Sequence, residues 1–217
     1  MPQHNYQLEL DSLSQEAQSF FLEKHSAREK ALALSRRTIQ LSANAIRSSH
    51  RQEFEKAVEL LENAKSSIFQ MHEIRKNHPE VYFSGFIHDS QKEYAEAHTT
   101  LALICGTSLP KPEDLNIPFG PYLNGLGEAI GEMRRYILDS LRKGENSRCE
   151  DVLDTMDQIY TQLFTMDFPE AITGGLRRTT DTMRGILERT RGDLTNNLNQ
   201  QVLEKKLDHF LSDVRDS

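Results

Sequence analysis

Apolar residues recur every three to four positions along most of this chain, and alternating β-branched runs are absent. That period predicts helix almost throughout. Seven helices are expected. The first spans about Asp11 to Ser48 and carries Phe20, Ala27, Ala31, Leu34, Ile39, Ala43 and Ile46 on one side. The second spans about Arg51 to Lys76 and stops before Asn77-His78-Pro79. A short loop from Glu80 to Gly85 leads to a third, from about Phe86 to Cys105. The clearest break follows, Gly106 to Glu113. Three of the seven prolines cluster between Pro110 and Pro118 there, which marks a surface loop. A fourth helix runs from about Pro121 to Lys143, with Gly144 placed to end it. The fifth spans about Ser147 to Met166. A sixth starts at Pro169 and ends near Arg191-Gly192, and a seventh is capped by Asp193 and runs toward the C-terminus.

Composition sharpens this into an all-α, single-domain fold over residues 1–217. Charged residues are 27% and hydrophobic residues 37%, which suits charged helices with thin apolar stripes. There is no internal repeat and no low-complexity tract. No apolar run approaches the roughly 18 residues that a membrane helix needs, so no membrane partner is expected. The start, Met1-Pro2-Gln3-His4-Asn5-Tyr6, lacks the basic and apolar stretches of a secretory signal. Cys105 and Cys149 are the only cysteines, too few for a zinc site or a disulfide framework. A reducing, cytoplasmic setting follows as the expectation. The formal net charge of -7 argues weakly against general nucleic-acid binding but leaves room for a local basic patch.

The chemistry is concentrated in two glutamate pairs. Glu93 and Glu96 lie in Gln91-Lys92-Glu93-Tyr94-Ala95-Glu96-Ala97, and Glu128 and Glu132 follow Tyr122-Leu123-Asn124-Gly125-Leu126-Gly127. Spacings of three and four put each pair on one helix face. Gly125, Gly127 and Gly131 lie in the same helical stretch, where each costs about 1 kcal/mol relative to alanine. Such glycines make sense where another backbone or a ligand comes close. Four converging carboxylates would repel one another unless a cation joined them. Glutamate oxygens suit magnesium or manganese rather than zinc or copper. The plain alternative is two solvated pairs on helix surfaces, in a chain with 33 acidic residues. A di-iron bundle is disfavoured, because it needs Glu-x-x-His on two helices and His98 lies only two residues after Glu96.

From Lys24 to Arg51 the first helix carries Lys24, Arg28, Lys30, Arg36, Arg37, Arg47 and Arg51, against the single acid Glu29. They form either a solvated face or a surface that contacts nucleic-acid phosphates without reading bases. A second cluster, Arg177, Arg178, Arg184, Arg189 and Arg191, could serve similarly or bridge subunits. His72, His78, His88 and His98 are scattered and have no nucleophile partner in a recognisable motif. No phosphate-binding loop or dinucleotide fingerprint is present.

Several stretches resemble the translin superfamily. They are Gln91 to Ala97, Tyr122-Leu123-Asn124-Gly125 with Glu128, Gly131-Glu132-Met133-Arg134, Arg28-Glu29-Lys30, Ser35-Arg36-Arg37, and Leu141-Arg142-Lys143-Gly144. The similarity covers nearly the whole chain and is most specific from Phe86 to Lys143. The superfamily has two branches. Translin binds single-stranded RNA and DNA. Translin-associated factor X (Trax) carries the ribonuclease site of their hetero-octamer, which promotes RNA silencing. The catalytic branch has Glu-x-x-Glu on one helix and, on the next, an acidic residue four positions before a glutamate. Translin has an apolar residue at that earlier position. Glu128 stands there in this chain, so the chain looks like the Trax branch, although a compared family member has aspartate at that place. The compact chain, without the tails and insertions of the animal factor, fits a microbial or archaeal member.

The resemblance implies a magnesium- or manganese-dependent endoribonuclease acting on single-stranded or flexible RNA. Glu93, Glu96, Glu128 and Glu132 would hold the metal, and the basic residues of the first helix would position the RNA backbone. It also implies a homo-oligomer, most plainly an octamer, with a translin-like protein as a further partner. Two other readings stay open. One is a non-catalytic scaffold for single-stranded RNA or DNA. The other is a structural helical oligomer with surface acids.

Overall fold

A computed structural model describes residues 6–215. The first five residues, on which part of the secretory-signal reading falls, lie outside the described residues. Among the described residues all regular structure is helical. The order is α1 (Gln7–His50), α2 (Phe54–Asn77), α3 (Pro79–Tyr82), α4 (Gly85–Cys105), α5 (Pro112–Leu115), α6 (Phe119–Lys143), α7 (Cys149–Phe164), α8 (Glu170–Thr173) and α9 (Leu176–Arg215). No helix is long and apolar enough to cross a membrane among the described residues.

The all-α expectation holds, but the count of seven is corrected to six long helices and three single turns. The expected helix from Pro169 is a single turn, stopped by Gly174 and Gly175 at φ 64° and 93°. From Leu176 the chain then runs straight through Gly192, and Asp193 caps nothing. A lone glycine costs a helix about 1 kcal/mol. That cost is outweighed by a stripe that crosses it: Leu176, Met183, Leu187 and Leu194 are buried at spacings of seven, four and seven. Asp193 instead accepts a bond from Arg134 of α6, at 2.7 Å. Gly106 and Gly144 do end α4 and α6 in the left-handed conformation.

The helices pack around two apolar clusters. One joins α1, α2 and α4 through residues such as Leu34, Ile46, Leu61, Ile68, Met71, Ile87 and Tyr94. The other joins α6, α7 and α9 through Ile130, Met133, Ile137, Met156, Leu163, Met183 and Leu187. Leu123 and Leu126 of α6 pack against both. The pair α4 and α6 is therefore the seam of the molecule, and the two glutamate pairs lie on it. The inner face of α1 is lined with small and hydroxyl residues, Ala31, Ser35, Thr38, Ser42, Ala45 and Ser49, which permits close helix packing. Its N-terminal half has no such cover. Leu8, Leu10, Leu13, Phe20, Phe21 and Leu22 are exposed, so Phe20 does not join the buried side expected of it.

Candidate metal centre

The seam is tight because α6 has no side chain where α4 crosses it. A Cβ on Gly125 would overlap the carbonyl oxygen of Lys92 and would stand 2.8 Å from Ala95 Cβ and from the Glu96 nitrogen. Gly127 plays the same part toward α9, where a Cβ would stand 2.5 Å from Thr179 Cγ2. Close approach of a neighbouring helix thus accounts for two of the three glycines, by its backbone at Gly125 and by side chains at Gly127. At Gly131 the nearest atom is Ile186 Cδ1, 4.0 Å away, so that glycine is not explained by crowding.

This approach aims carboxylates from both helices at one point. One oxygen each from Glu93, Glu96 and Glu128 lie within 4.8 Å of one another. Among the described residues, no lysine, arginine or histidine is bonded to Glu93 or Glu96. Burial, then repulsion from Glu93, Glu128 and Glu132, pushes the Glu96 carboxyl up to about 8. Glu93 is also raised, chiefly by burial. Glu128 differs, because Lys92 Nζ donates to its Oε1 at 2.8 Å. Burial works against the Lys92 charge, yet the bond to Glu128 and the nearby Glu93 and Asp89 outweigh it and hold the ammonium's pKa up.

Glu132 stands one turn along α6 and is engaged elsewhere. Its Oε2 is 2.6 Å from His50 Nε2 at the end of α1, and 3.6 Å from Arg135 Nη1. The bond to His50 holds its carboxyl below the usual range, against the effect of burial. The structure therefore brings three of the four expected ligands together, and Glu132 borders them without an oxygen in the group.

A cavity of about 580 Å³ opens beside the cluster. Glu96 and Glu128 form one wall with His88, Asp89 and Lys92, and α9 supplies Arg178, Thr179, Thr182, Met183 and Ile186 opposite. Buried Asn124 ties this corner together. It donates to the carbonyls of Gly120 and Thr173, each at 2.8 Å, and accepts from Thr179 Oγ1 at 2.6 Å. Sequence reasoning did not single out Lys92, His50 or Asn124 as parts of the site. Lys92 next to Glu93 was the one local signal available. His50 meets Glu132 across 82 residues, and no spacing rule reaches that far.

The seven basic residues of the first helix do not form one cluster. At 100° per residue they spread around more than half of the helix circumference. Lys24 pairs with Glu80 at 3.5 Å and Arg28 with Glu29 at 3.2 Å. Arg47 donates to Asn44. Lys30 lines a second cavity with Glu23, Glu73 and His78. Arg36, Arg37 and Arg51 are exposed. Arg47 and Arg51 flank His50, so the end of α1 is the basic part nearest the carboxylates.

No protein-family model matches the chain. An uncharacterized protein of Methanocaldococcus jannaschii is 28% identical over 190 residues, covering 87% of this chain and 84% of its own length. The crystal structure of AfC3PO aligns with a TM-score of 0.80 at 29% identity, over 87% of this chain and 98% of that one. A second AfC3PO structure, in complex with duplex RNA, aligns at 0.79 and 29% over the same share of this chain and 97% of the other. The fold is shared as well with apo-NeC3PO, at a TM-score of 0.75 and 22% identity over 90% of this chain and 100% of that one.

Proposed function

This chain belongs to the translin superfamily, and from that premise we propose that it is a Trax-like endoribonuclease dependent on magnesium or manganese. The observation that carries the reading is the convergence of Glu93, Glu96 and Glu128 within 4.8 Å, with no cation among the described residues bonded to the first two. A non-catalytic scaffold has no use for that arrangement. Uncompensated like charges in a half-buried site are costly, and their cost is relieved by a hard cation. Glu93, Glu96 and Glu128 would hold it. A divalent ion held by these three carboxylates would supply a more acidic water and offset charge on the scissile phosphate. Glu132, fixed by His50, borders the cluster and adds to its negative field.

The basic residues of α1 then position the RNA backbone, with Arg36, Arg37 and Arg51 carrying exposed charge. Single-stranded or flexible RNA is the proposed substrate, because a rigid A-form duplex holds its bases and backbone in one shape. AfC3PO has been solved with duplex RNA, so a duplex is the natural competitor. The exposed leucines and phenylalanines at the start of α1 and the end of α9 support self-association, as a homo-octamer or with a translin-like partner. One observation favours a scaffold for RNA or single-stranded DNA instead: Lys92 already neutralises Glu128 without a metal.

The test is to incubate one RNA sequence, as single strand and as duplex, with magnesium or with EDTA, and to map the product ends by mass spectrometry. The expected products carry 5′-phosphate and 3′-hydroxyl ends, form faster from the single strand, and vanish in EDTA. Cyclic-phosphate ends that persist in EDTA would remove the carboxylates from the chemistry.

A further inference from the structure

The cavity beside the carboxylates is not an acidic cleft throughout. Arg178 lines it from α9, and no carboxylate or hydrogen-bond acceptor engages its guanidinium among the described residues. Arg36, Arg37, Arg51, Arg177 and Arg189 are likewise exposed, but of these arginines only Arg178 lines the cavity. Across from it, Lys92 spends one donor on Glu128 and has two more. The two hydroxyl groups that α9 gives the cavity are already donating elsewhere. Thr179 donates to Asn124, and Thr182 donates to the carbonyl of Arg178. Met183 and Ile186 are apolar. The α4 side adds His88, whose Nε2 is buried without a hydrogen-bond partner among the described residues, and the carboxylates of Asp89, Glu96 and Glu128, so Arg178 and Lys92 are the cationic groups of a cavity with one acidic and one apolar wall.

The size of the cavity lies within the range of about 300–1,000 Å³ typical of small-ligand sites. Gly174 and Gly175 form part of its rim, which is open at Gly175, where nothing stands within 4 Å of the place a Cβ would take, and filled by the His88 ring at Gly174. We propose that this cavity is a phosphate subsite, in which Arg178 and Lys92 take the RNA backbone phosphate next to the one that a divalent cation at Glu93, Glu96 and Glu128 would hold. The inference rests on the reading of this chain as an RNA-binding nuclease and adds where a neighbouring nucleotide goes. The planar fork of Arg178 can grip two phosphate oxygens, whereas Lys92 acts as a point charge. Lys92 can bond Glu128 and a phosphate together, which links occupancy of the subsite to the carboxylates. Arg178 and Lys92 would bond phosphate oxygens, contacts that position the backbone and carry no sequence information themselves.

The experiment uses the full chain with Arg178→Ala and Arg178→Lys. Arg178 is exposed, so neither change threatens the fold. Binding of a short uridine oligoribonucleotide is followed by fluorescence anisotropy over a series of salt concentrations. Manganese binding is followed separately by electron paramagnetic resonance. Arg178→Ala should weaken RNA binding about tenfold and flatten its log-log salt slope by roughly 0.7, the value of one phosphate contact on a single strand. Arg178→Lys should restore the slope, and both variants should bind manganese as the parent does. An unchanged slope in Arg178→Ala overturns the subsite, and so does a loss of manganese binding, which would make Arg178 structural. A parent that binds no manganese, with the slope still lost in Arg178→Ala, overturns the metal centre and leaves the subsite standing. A parent that binds no RNA overturns both.

Discussion

Glu96 and Glu132 are carboxylates of one seam, and the protein treats them in opposite ways. Among the described residues no cation is bonded to Glu96, and burial with three like charges pushes it up to about 8. Glu132 has His50 at 2.6 Å and Arg135 at 3.6 Å, and its carboxyl is held low. The residue type is the same and both belong to one seam. What differs is whether the fold itself supplies the opposite charge. Glu132 has its opposite charge within the chain, whereas no cation of the described residues is bonded to Glu96 or Glu93. Functional groups are commonly those left in the costlier state.

The strongest way to break this contrast is Glu96→Gln. Metal affinity should fall by more than about 100-fold, since a direct ligand should cost at least as much as the residues supporting it. The same change should stabilise the metal-free protein, in a pH-dependent way. Glu96 ionises near 4.5 when unfolded and near 8 when folded. Between those values the folded state binds more protons, so the parent loses stability as pH rises through that window. The glutamine variant lacks this loss. In EDTA its melting temperature should match the parent near pH 5 and exceed it near pH 8. Equal melting at both values would show that Glu96 is not under charge stress.

Next in size is Gly125→Ala, which acts on the seam to which both carboxylates belong. The new Cβ meets backbone atoms of Lys92 and Glu96, which cannot swing aside. A loss of about 1–3 kcal/mol is expected from urea titration, with weaker manganese binding. Full stability together with full metal affinity would mean that the helices do not approach as described.

The smallest effect on metal is expected from Glu132→Gln. Manganese affinity should change less than about tenfold, because Glu132 supplies no oxygen to the group. Stability at neutral pH should drop by about 1–3 kcal/mol, the usual cost of losing a bond to a charged, partly buried group. The Glu132 pKa is lowered in the folded state, so its contribution is present above the unfolded value and lost as pH falls through the folded one. The gap between parent and variant should therefore close in acid. A metal loss as large as that of Glu96→Gln would make Glu132 a fourth ligand and erase the contrast.

The glutamate pairs were legible because helical spacing alone puts Glu93 with Glu96 and Glu128 with Glu132. Gly125 added the signal that the two helices meet. What spacing could not show is which charges are answered from elsewhere. His50 reaches Glu132 across 82 residues, and Lys92 reaches Glu128 across 36. Both bonds depend on packing, not on period. The same limit applied at Gly192. Its local signal says stop, but the stripe through Leu187 and Leu194 is set by the second apolar cluster and wins. Arg178 was visible as one of a basic group, and only the fold separates it from its neighbours by leaving it at a cavity.

The unbroken run of α9 makes it a rod of about 60 Å whose two ends live under different conditions. Near the cavity it is clamped by buried Met183, Leu187 and Leu194. The side chain of Gln201 accepts from Asn146 at 2.6 Å, and past that point Val202, Leu203, Leu207, Phe210 and Leu211 are exposed. A helical segment of that length without tertiary contacts is marginal in water. Amide hydrogens on the distal turns of an isolated chain should therefore exchange with solvent far faster than those beside the cavity. The point along α9 where protection fails is then a ruler, read residue by residue, for how much of the rod another surface has covered.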